Sequence, residues 1–274
     1  MRTVRLPDGT DVPALGQGTW RMGEGRHPAR AEADALRRGI DLGMSLIDTA
    51  EMYGDGASER VVADAIDGQH DRVFLVSKIY PQNATRRGIP AACDGSLARL
   101  RTDRIDLYLL HWRGRTPLPE TVEGFERLRE AGKIVRWGVS NFDVADLEEL
   151  GPGACAANQV LYNPEARGIE FDLLPWCSAR GLPVMAYSPI GQAGALLRSG
   201  ALRNVAARHG ATPAQVAIAW TLRRPGVISI PKASGPAHVA ENAAAAELTL
   251  TDADAAEIDA AFRPPRRKQG LEML

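Results

Sequence analysis

Short apolar runs and segments with helical periodicity alternate eight times along the chain. Each run is short enough for one buried strand, and each following segment spaces its apolar residues as an amphipathic helix does. Because parallel strands need long crossover connections, repeated strand–helix units favour a parallel sheet covered by helices. Eight such units close a barrel. We therefore predict an α/β protein with the (β/α)8 TIM-barrel fold.

The pattern predicts the bounds of most elements. Strands are expected at residues 16–19, 45–47, 73–77, 105–110, 135–139, 157–160, 183–187 and 227–230. Helices are expected at residues 29–42, 58–66, a segment ending near Leu100, 120–131, a segment starting at Asp143, 172–180, 213–223 and 236–246. The alternative, a doubly wound open sheet, is disfavoured because no G-x-G-x-x-G sequence follows an early strand. The nearest candidate, Gly16-Gln17-Gly18, lacks the third glycine and a helix directly behind it.

Additional segments flank the eight units at both ends. Residues 3–6 and 12–15 surround Asp8-Gly9, a pair suited to a tight turn, which predicts an N-terminal β-hairpin. An extra C-terminal helix at residues 252–262 precedes a tail with basic residues, which is solvated, forms one rim of a pocket or attracts an anionic substrate. No linker or charge block divides the chain, so we predict a single domain over residues 1–274.

Charge and cysteine content narrow the classes of partner and location. The chain has 33 basic and 34 acidic residues, a formal net charge of -1, which disfavours nucleic-acid and membrane-surface partners. No apolar run is long enough for a signal peptide or a membrane span, so a cytoplasmic protein is expected. The three cysteines lack the spacing of a metal site, so no metal is expected. We also expect a monomer.

Polar residues follow three successive predicted strands. Asp48, Lys78 and His111 stand at the strand ends, and Tyr53 lies five residues beyond Asp48. Because reactive groups of such barrels lie at the C-terminal ends of the strands, we expect these four side chains to converge. Each one alone has an ordinary structural interpretation, such as a helix cap, a packed aromatic or a core histidine.

Together the four residues suit proton donation to a carbonyl that accepts a hydride. The phenol of Tyr53, with an ordinary pKa of about 10, needs a neighbouring cation to become a useful acid. Lys78 is expected to lower that pKa, Asp48 to keep Lys78 charged, and a neutral His111 to orient the substrate oxygen. A different chemistry, a Schiff base formed by Lys78, remains open from these residues alone.

Four stretches that contain or follow these residues resemble aldo-keto reductase signatures. They are DTAEMYG at 48–54, LVSK at 75–78, LYLLHW at 107–112 and GVSNF at 138–142. In that family the matching positions form a catalytic tetrad of Asp48, Tyr53, Lys78 and His111, with the tyrosine as general acid. Residues 15–20 and 173–177 are most similar to small bacterial reductases of methylglyoxal and short aldehydes. The resemblance implies reduction of small aldehydes and ketones with a nicotinamide cofactor.

The cofactor residues follow the later strands. Hydride transfer needs the nicotinamide ring stacked on one surface and its amide held at the edge. The resemblance assigns this role to Ser140, Asn141, Gln159 and Tyr187, the pyrophosphate to Ser188, and the adenine to Glu241 and Asn242. Lys232 and Ser234, just before a predicted helix, suit a phosphate monoester and favour NADPH over NADH. His238 departs from the family, because many relatives have an arginine there against the 2′-phosphate.

The remaining expectations concern the substrate and two rival functions. Trp20, Met52 and Trp112 flank the predicted tetrad, so we expect an apolar, aromatic pocket for a small carbonyl compound. A Schiff-base lyase built on Lys78 would leave the Tyr53 and nicotinamide-site matches unexplained. A cofactor-sensing binding subunit of the same fold would tolerate loss of Tyr53.

Overall fold

The computed structural model describes residues 1–151, 155–192 and 194–274. Two short antiparallel strands, β1 (Thr3–Arg5) and β2 (Asp11–Pro13), form the predicted hairpin. Eight parallel strands follow in sequence order. They are β3 (Gln17–Gly18), β4 (Leu46–Asp48), β5 (Phe74–Ile79), β6 (Ile105–Leu110), β7 (Ile134–Ser140), β8 (Cys155–Leu161), β9 (Val184–Tyr187) and β10 (Val227–Ser229).

The eight strands close on themselves. Parallel bridges join Leu15 to Ser229 and Gly18 to Lys232, next to β10 and β3. The backbone N–H of Gly16 donates to the carbonyl of Ser229 at 2.8 Å, and the N–H of Ser229 donates to the carbonyl of Ala14 at 2.8 Å. The predicted (β/α)8 barrel is therefore confirmed.

The glycines of the Gly16-Gln17-Gly18 segment lie at this closing seam. A Cβ atom at Gly16 would lie 2.8 Å from the carbonyl oxygen of Leu46, and one at Gly18 would lie 2.9 Å from that of Ile230. Real Cβ atoms are not found so close to backbone atoms, so the two neighbouring strands can approach β3 only where it lacks side chains. The glycines serve barrel closure rather than a dinucleotide-binding turn.

The hairpin covers the N-terminal end of the barrel. Val4 and Val12 face each other across it, and both pack in the cluster that fills the barrel interior. Arg136, near the start of β7, donates to Asp8 at 2.6 Å and also to Thr10 in the hairpin turn. Because this end is closed, the opposite end, where the strands terminate, is left to form a site.

Ten α-helices occur in the part of the chain that the structure describes. They are α1 (Ala29–Asp41), α2 (Ala57–Ile66), α3 (Gly88–Leu100), α4 (Leu118–Glu130), α5 (Val144–Leu150), α6 (Leu173–Ala179), α7 (Gly200–His209), α8 (Pro213–Leu222), α9 (Pro236–Ala244) and α10 (Asp252–Ala261). The predicted extra helix is α10, which begins with a capping box between Thr251 and Asp254. None of these helices is long and apolar enough to cross a membrane.

Helix α7 is the main difference from the expected pattern. One helix was predicted between β9 and β10, but both α7 and α8 lie there. Only Leu202, Val205 and Ala206 of α7 are buried, so its apolar stripe is narrow and its periodicity weak. It stays in place partly through Arg208 and His209, which contact Asp254 of α10 at 2.6 and 2.7 Å. That residues 1–274 form one domain stays a prediction.

Candidate active site

Side-chain alternation in the strands explains why the predicted catalytic residues face one another. Leu46 of β4 and Val76 of β5 lie in the cluster inside the barrel. Successive side chains of a strand point to opposite faces, so Asp48 and Lys78, two residues further along, point the same way. His111 follows β6 with the same spacing from a buried interior leucine. All three therefore lie inside the open end of the barrel.

Lys78 is the centre of this group. Its ammonium donates to Asp48 Oδ2 at 2.7 Å, to the carbonyl of Thr49 at 2.8 Å, and to Tyr53 Oη at 3.2 Å. The side chain is fully buried. Gln159 of β8 donates to the other oxygen of Asp48 at 2.7 Å. The predicted Asp48–Lys78–Tyr53 contact is thus present, and each side chain in it has a hydrogen-bond partner.

Burial and neighbouring charges shift the pKa values of Lys78 and Tyr53 in opposite directions. Burial alone would lower the pKa of Lys78, but the Asp48 carboxylate and the Tyr53 hydroxyl outweigh burial and leave the pKa raised. Lys78 is therefore an ammonium. Burial raises the pKa of Tyr53, and the nearby Lys78 only partly offsets that rise. Lys78 lowers the Tyr53 pKa as expected, but burial of the phenol has the larger effect, so the net pKa is raised.

His111 lies beside Tyr53 and is held neutral. The two rings meet edge to face with centroids 5.7 Å apart, and the centroid of the Trp112 ring lies 5.0 Å from that of His111. Burial and the Lys78 charge lower the pKa of His111 to about 2. Its Nδ1 is buried and has no hydrogen-bond partner among the described residues. A neutral imidazole, as the sequence analysis expected, is the form that can donate one hydrogen bond without adding a charge.

A chain of buried hydroxyls supports the loop that carries Tyr53. Ser58, at the start of α2, donates to Thr19 Oγ1 at 2.7 Å, and Thr49 donates to Ser58 Oγ at 3.2 Å. Thr19 in turn donates to the carbonyl of Asp48 at 2.9 Å. All three hydroxyl residues are fully buried. These hydroxyl residues were not predicted from the sequence, because a lone serine or threonine gives no signal until the fold brings the three together.

A cavity of about 600 Å³ opens beside the tetrad. The predicted site residues that line it are Trp20, Asp48, Met52, Tyr53, His111, Trp112, Ser140, Asn141, Gln159, Tyr187, Ser188 and Lys232. The predicted residues that do not line it are Lys78, Ser234, His238, Glu241 and Asn242. Lys78 lies behind Asp48 and Tyr53, which it contacts, whereas the other four belong to the segment around α9.

The residues predicted to hold the nicotinamide form a hydrogen-bonded group. Tyr187 Oη donates to Asn141 Oδ1 at 3.1 Å, and Asn141 Nδ2 donates to the carbonyl of His111 at 3.1 Å. Burial raises the pKa of Tyr187 to about 12, so its hydroxyl stays protonated. Asn141 and Ser188 both have positive φ, 59° and 48°, a strained backbone that is concentrated at functional sites. These contacts fix the rings and amides before any ligand arrives.

The end of the cavity near Lys232 is less tightly organised. The Lys232 ammonium donates to Ser234 Oγ, and Ser234 Oγ lies 3.4 Å from Glu32 Oε1. His238 is exposed on the first turn of α9. Glu241 is partly exposed, and Asn242 is buried beneath the helix. The structure therefore brings Lys232 and Ser234 together but does not bring the three α9 residues to the cavity.

The apolar wall that the sequence analysis predicted lies at the cavity mouth. Trp20 and Met52 are large hydrophobic residues that remain 37% and 36% exposed. The guanidinium of Arg21 lies 4.2 Å from the centroid of the Trp20 ring. Met273 and Leu274 also line the cavity. The tail thus forms a rim through its apolar end, whereas its basic residue Lys268 pairs with Asp172 at 3.1 Å.

Comparison with known proteins agrees with this geometry. The family model of the aldo/keto reductase family matches residues 14–263. Methylglyoxal reductase YeaE of Escherichia coli K12 is 50% identical over 282 residues, which cover 100% of this chain and 99% of that protein. The glyoxal reductase of Bacillus subtilis is 33% identical over 273 residues. The aligned residues make up 96% of this chain and 94% of that protein.

A solved structure of an aldo-keto reductase has the same fold as this chain. A crystal structure of an aldo-keto reductase from Klebsiella pneumoniae in complex with NADPH superposes with a TM-score of 0.97. The two sequences are 50% identical, and the superposition covers 100% of this chain and 99% of the Klebsiella pneumoniae chain. Fold, family model and relatives agree with the resemblance found in the sequence. The chain belongs to the aldo/keto reductase family and is an oxidoreductase.

Proposed function

We propose that the protein reduces small aldehydes and ketones to alcohols with NADPH, using Tyr53 as the general acid. The observation that carries the proposal is the phenol of Tyr53, which lies 3.2 Å from the buried Lys78 ammonium and lines the cavity. Methylglyoxal-like, aromatic and sugar-derived carbonyl compounds are the substrate classes that suit an apolar, aromatic mouth. The names of the Escherichia coli and Bacillus subtilis relatives support the first of these classes.

The residues present fit a nicotinamide dinucleotide. Amide and hydroxyl groups of Asn141, Gln159 and Ser140 line the cavity beside the Tyr187 ring, as a carboxamide and its aromatic ring require. Lys232 lines the same cavity and offers a cation for a phosphate. The Klebsiella pneumoniae relative binds NADPH, which supports the same cofactor for this chain. A bound nicotinamide supplies the hydride for the carbonyl carbon.

The chain supplies the proton and the orientation. The raised pKa of Tyr53 keeps its hydroxyl protonated at neutral pH, ready to donate to the carbonyl oxygen as negative charge develops there. The Lys78 ammonium then stabilises the phenolate that remains, and Asp48 keeps Lys78 charged. Neutral His111 donates a hydrogen bond to the same substrate oxygen. The proton thus moves from the phenol to the new alcohol.

Schiff-base chemistry at Lys78 is disfavoured. A nucleophilic lysine must lose its proton and reach the substrate. The pKa of Lys78 is raised after burial and the Asp48 charge are combined, its ammonium has three oxygen partners, and it does not line the cavity.

Replacing Tyr53 with phenylalanine tests the proposal. We expect Tyr53→Phe to lower kcat for methylglyoxal reduction by about a thousandfold, because the proton donor is lost. The affinity for NADPH, followed by quenching of tryptophan fluorescence, should change little. The matched control is Tyr108→Phe, which removes the hydroxyl of a buried tyrosine that packs against Phe125 away from the cavity.

The same experiment distinguishes a reductase from a cofactor-sensing binding subunit. Unchanged turnover in Tyr53→Phe removes the tyrosine from the mechanism. Tight NADPH binding by the wild type without oxidation of NADPH, against a panel of methylglyoxal, aromatic aldehydes and keto-sugars, supports a cofactor-sensing subunit instead.

A further inference from the structure

The segment around α9 leaves one position of the proposed cofactor site without its expected cation. The resemblance places an arginine at residue 238, but the chain has His238, which is exposed and does not line the cavity. Lys232 is then the only expected cation at this end. Its charge is partly offset by Glu32, which lies next to its partner Ser234. A doubly charged phosphate monoester calls for more positive charge than this.

The loop between β3 and α1 supplies that charge to the same cavity. Glu32, buried in α1, accepts a hydrogen bond from the backbone N–H of Gly23 at 2.7 Å and also lies 3.4 Å from Ser234 Oγ. One carboxylate thus links the loop to the Lys232–Ser234 segment. Two arginines of this loop, Arg21 and Arg26, line the cavity together with Lys232.

The two arginines differ in what they already contact. The guanidinium of Arg21 lies over the Trp20 ring at 4.2 Å. Arg26 is exposed and forms no ion pair with any residue in the described ranges 1–151, 155–192 and 194–274. Arg26 is therefore the cation that a ligand can engage without breaking an existing contact.

The electrostatics at Lys232 agree with this placement. Burial is the largest cause that lowers its pKa, and the charges of Arg26 and Arg21 lower the pKa further. Glu32 and Glu24 act in the opposite direction. Arg26 and Lys232, which line the same cavity, thus repel each other, and an anion bound between them would relieve that repulsion.

We propose that Arg26, on the β3–α1 loop, binds the 2′-phosphate of NADPH together with Lys232, and so takes the place of the arginine that His238 replaces. The inference rests on the proposed function. A guanidinium suits this contact, because its planar fork donates two hydrogen bonds to one phosphate. Selection of NADPH over NADH then depends on Arg26 and Lys232.

The test compares the two dinucleotides, which differ only in the 2′-phosphate. Kd values for NADPH and NADH are measured by quenching of tryptophan fluorescence, since Trp20 lines the cavity. For Arg26→Ala we expect the Kd for NADPH to rise about tenfold while that for NADH is unchanged. Arg26→Lys should retain part of the preference, because it keeps the charge but not the fork.

Two control variants make the result specific. Arg30→Ala removes an exposed arginine of α1 that does not line the cavity, and both Kd values should stay unchanged. His238→Ala should likewise leave the NADPH preference intact.

Each other outcome overturns the inference. Equal weakening of NADPH and NADH by Arg26→Ala would assign Arg26 to the pyrophosphate shared by both. No change in either Kd, or a larger loss of NADPH preference in His238→Ala, removes Arg26 from the 2′-phosphate. A wild-type protein that binds neither dinucleotide overturns the proposed function itself, and this inference with it.

Discussion

The two ends of the cavity differ in what holds their charged side chains. At the tetrad end, Lys78 is fully buried and its ammonium has three oxygen partners within the protein. At the other end, Lys232 is half-buried, its ammonium contacts the hydroxyl of Ser234, and the nearby Arg26 is exposed. The charges of Lys78 and Asp48 at the first end are paired within the protein, whereas the second end offers charges that a ligand would satisfy.

This difference agrees with the function proposed for each end, which is proton donation at the tetrad and phosphate recognition at Lys232. Proton donation depends on geometry, and a buried, hydrogen-bonded group holds its atoms in place at the moment of reaction. Recognition of a phosphate needs charge within reach, which flexible exposed side chains provide and water screens less once the ligand covers them. Substitutions at the two ends should therefore affect stability and binding differently.

The largest expected effect is on stability at the tetrad end. Asp48→Asn leaves the buried Lys78 ammonium without its carboxylate, and we expect a loss of about 3 kcal/mol in the free energy of unfolding. Lys232→Ala, at the other end, should cost less than about 1 kcal/mol. Urea unfolding without cofactor measures both. Similar losses in the two variants would show that the ends are not held differently.

The second effect is a dependence of stability on pH that arises at the tetrad end. The pKa of His111 is lowered to about 2 in the folded protein, whereas an unfolded histidine titrates near 6.5. Below pH 6.5 His111 is therefore protonated in the unfolded chain but stays neutral in the folded chain. The free energy of unfolding falls as pH falls. The slope approaches about 1.4 kcal/mol per pH unit well below pH 6.5, so the loss between pH 6.5 and 4.5 is about 2 kcal/mol.

The difference between wild type and His111→Asn isolates this contribution. The variant should lose stability less steeply on acidification than the wild type, in urea unfolding at several pH values. His238→Asn, which alters an exposed histidine outside the cavity, is the control. Parallel stability curves for wild type and His111→Asn contradict the prediction.

The smallest expected effect concerns the hydroxyl chain behind Tyr53. Ser58→Ala removes the partner of Thr19 and Thr49, so the loop that presents Tyr53 is held less firmly. We expect kcat to fall about tenfold with the Kd for NADPH unchanged, because small displacements of a reacting group slow the chemistry. Ser96→Ala, which changes a buried serine of α3 away from the cavity, should keep kcat. A raised Kd with normal kcat in Ser58→Ala would place the serine on the cofactor side instead.

Much of the tetrad end was predictable from local pattern. Asp48, Lys78 and His111 each follow an apolar run, and the barrel rule places strand ends together. The twofold alternation of strands then directs the three side chains to one face. The phosphate end was less predictable. No periodicity marks the loop that carries Arg26, and only the contact of Glu32 with Gly23 and Ser234 shows which segment it faces.

The sequence by itself determined the barrel, its N-terminal hairpin and the order of the polar residues at the strand ends, because these depend on local periodicity and on a general rule for parallel strands. Only the tertiary structure decided that α7 forms, that burial raises the pKa of Tyr53 despite Lys78, and that His238 stays outside the cavity while Arg26 lines it. The physical reason is that burial and Coulomb energies depend on distances between residues far apart in the chain, which no local pattern contains.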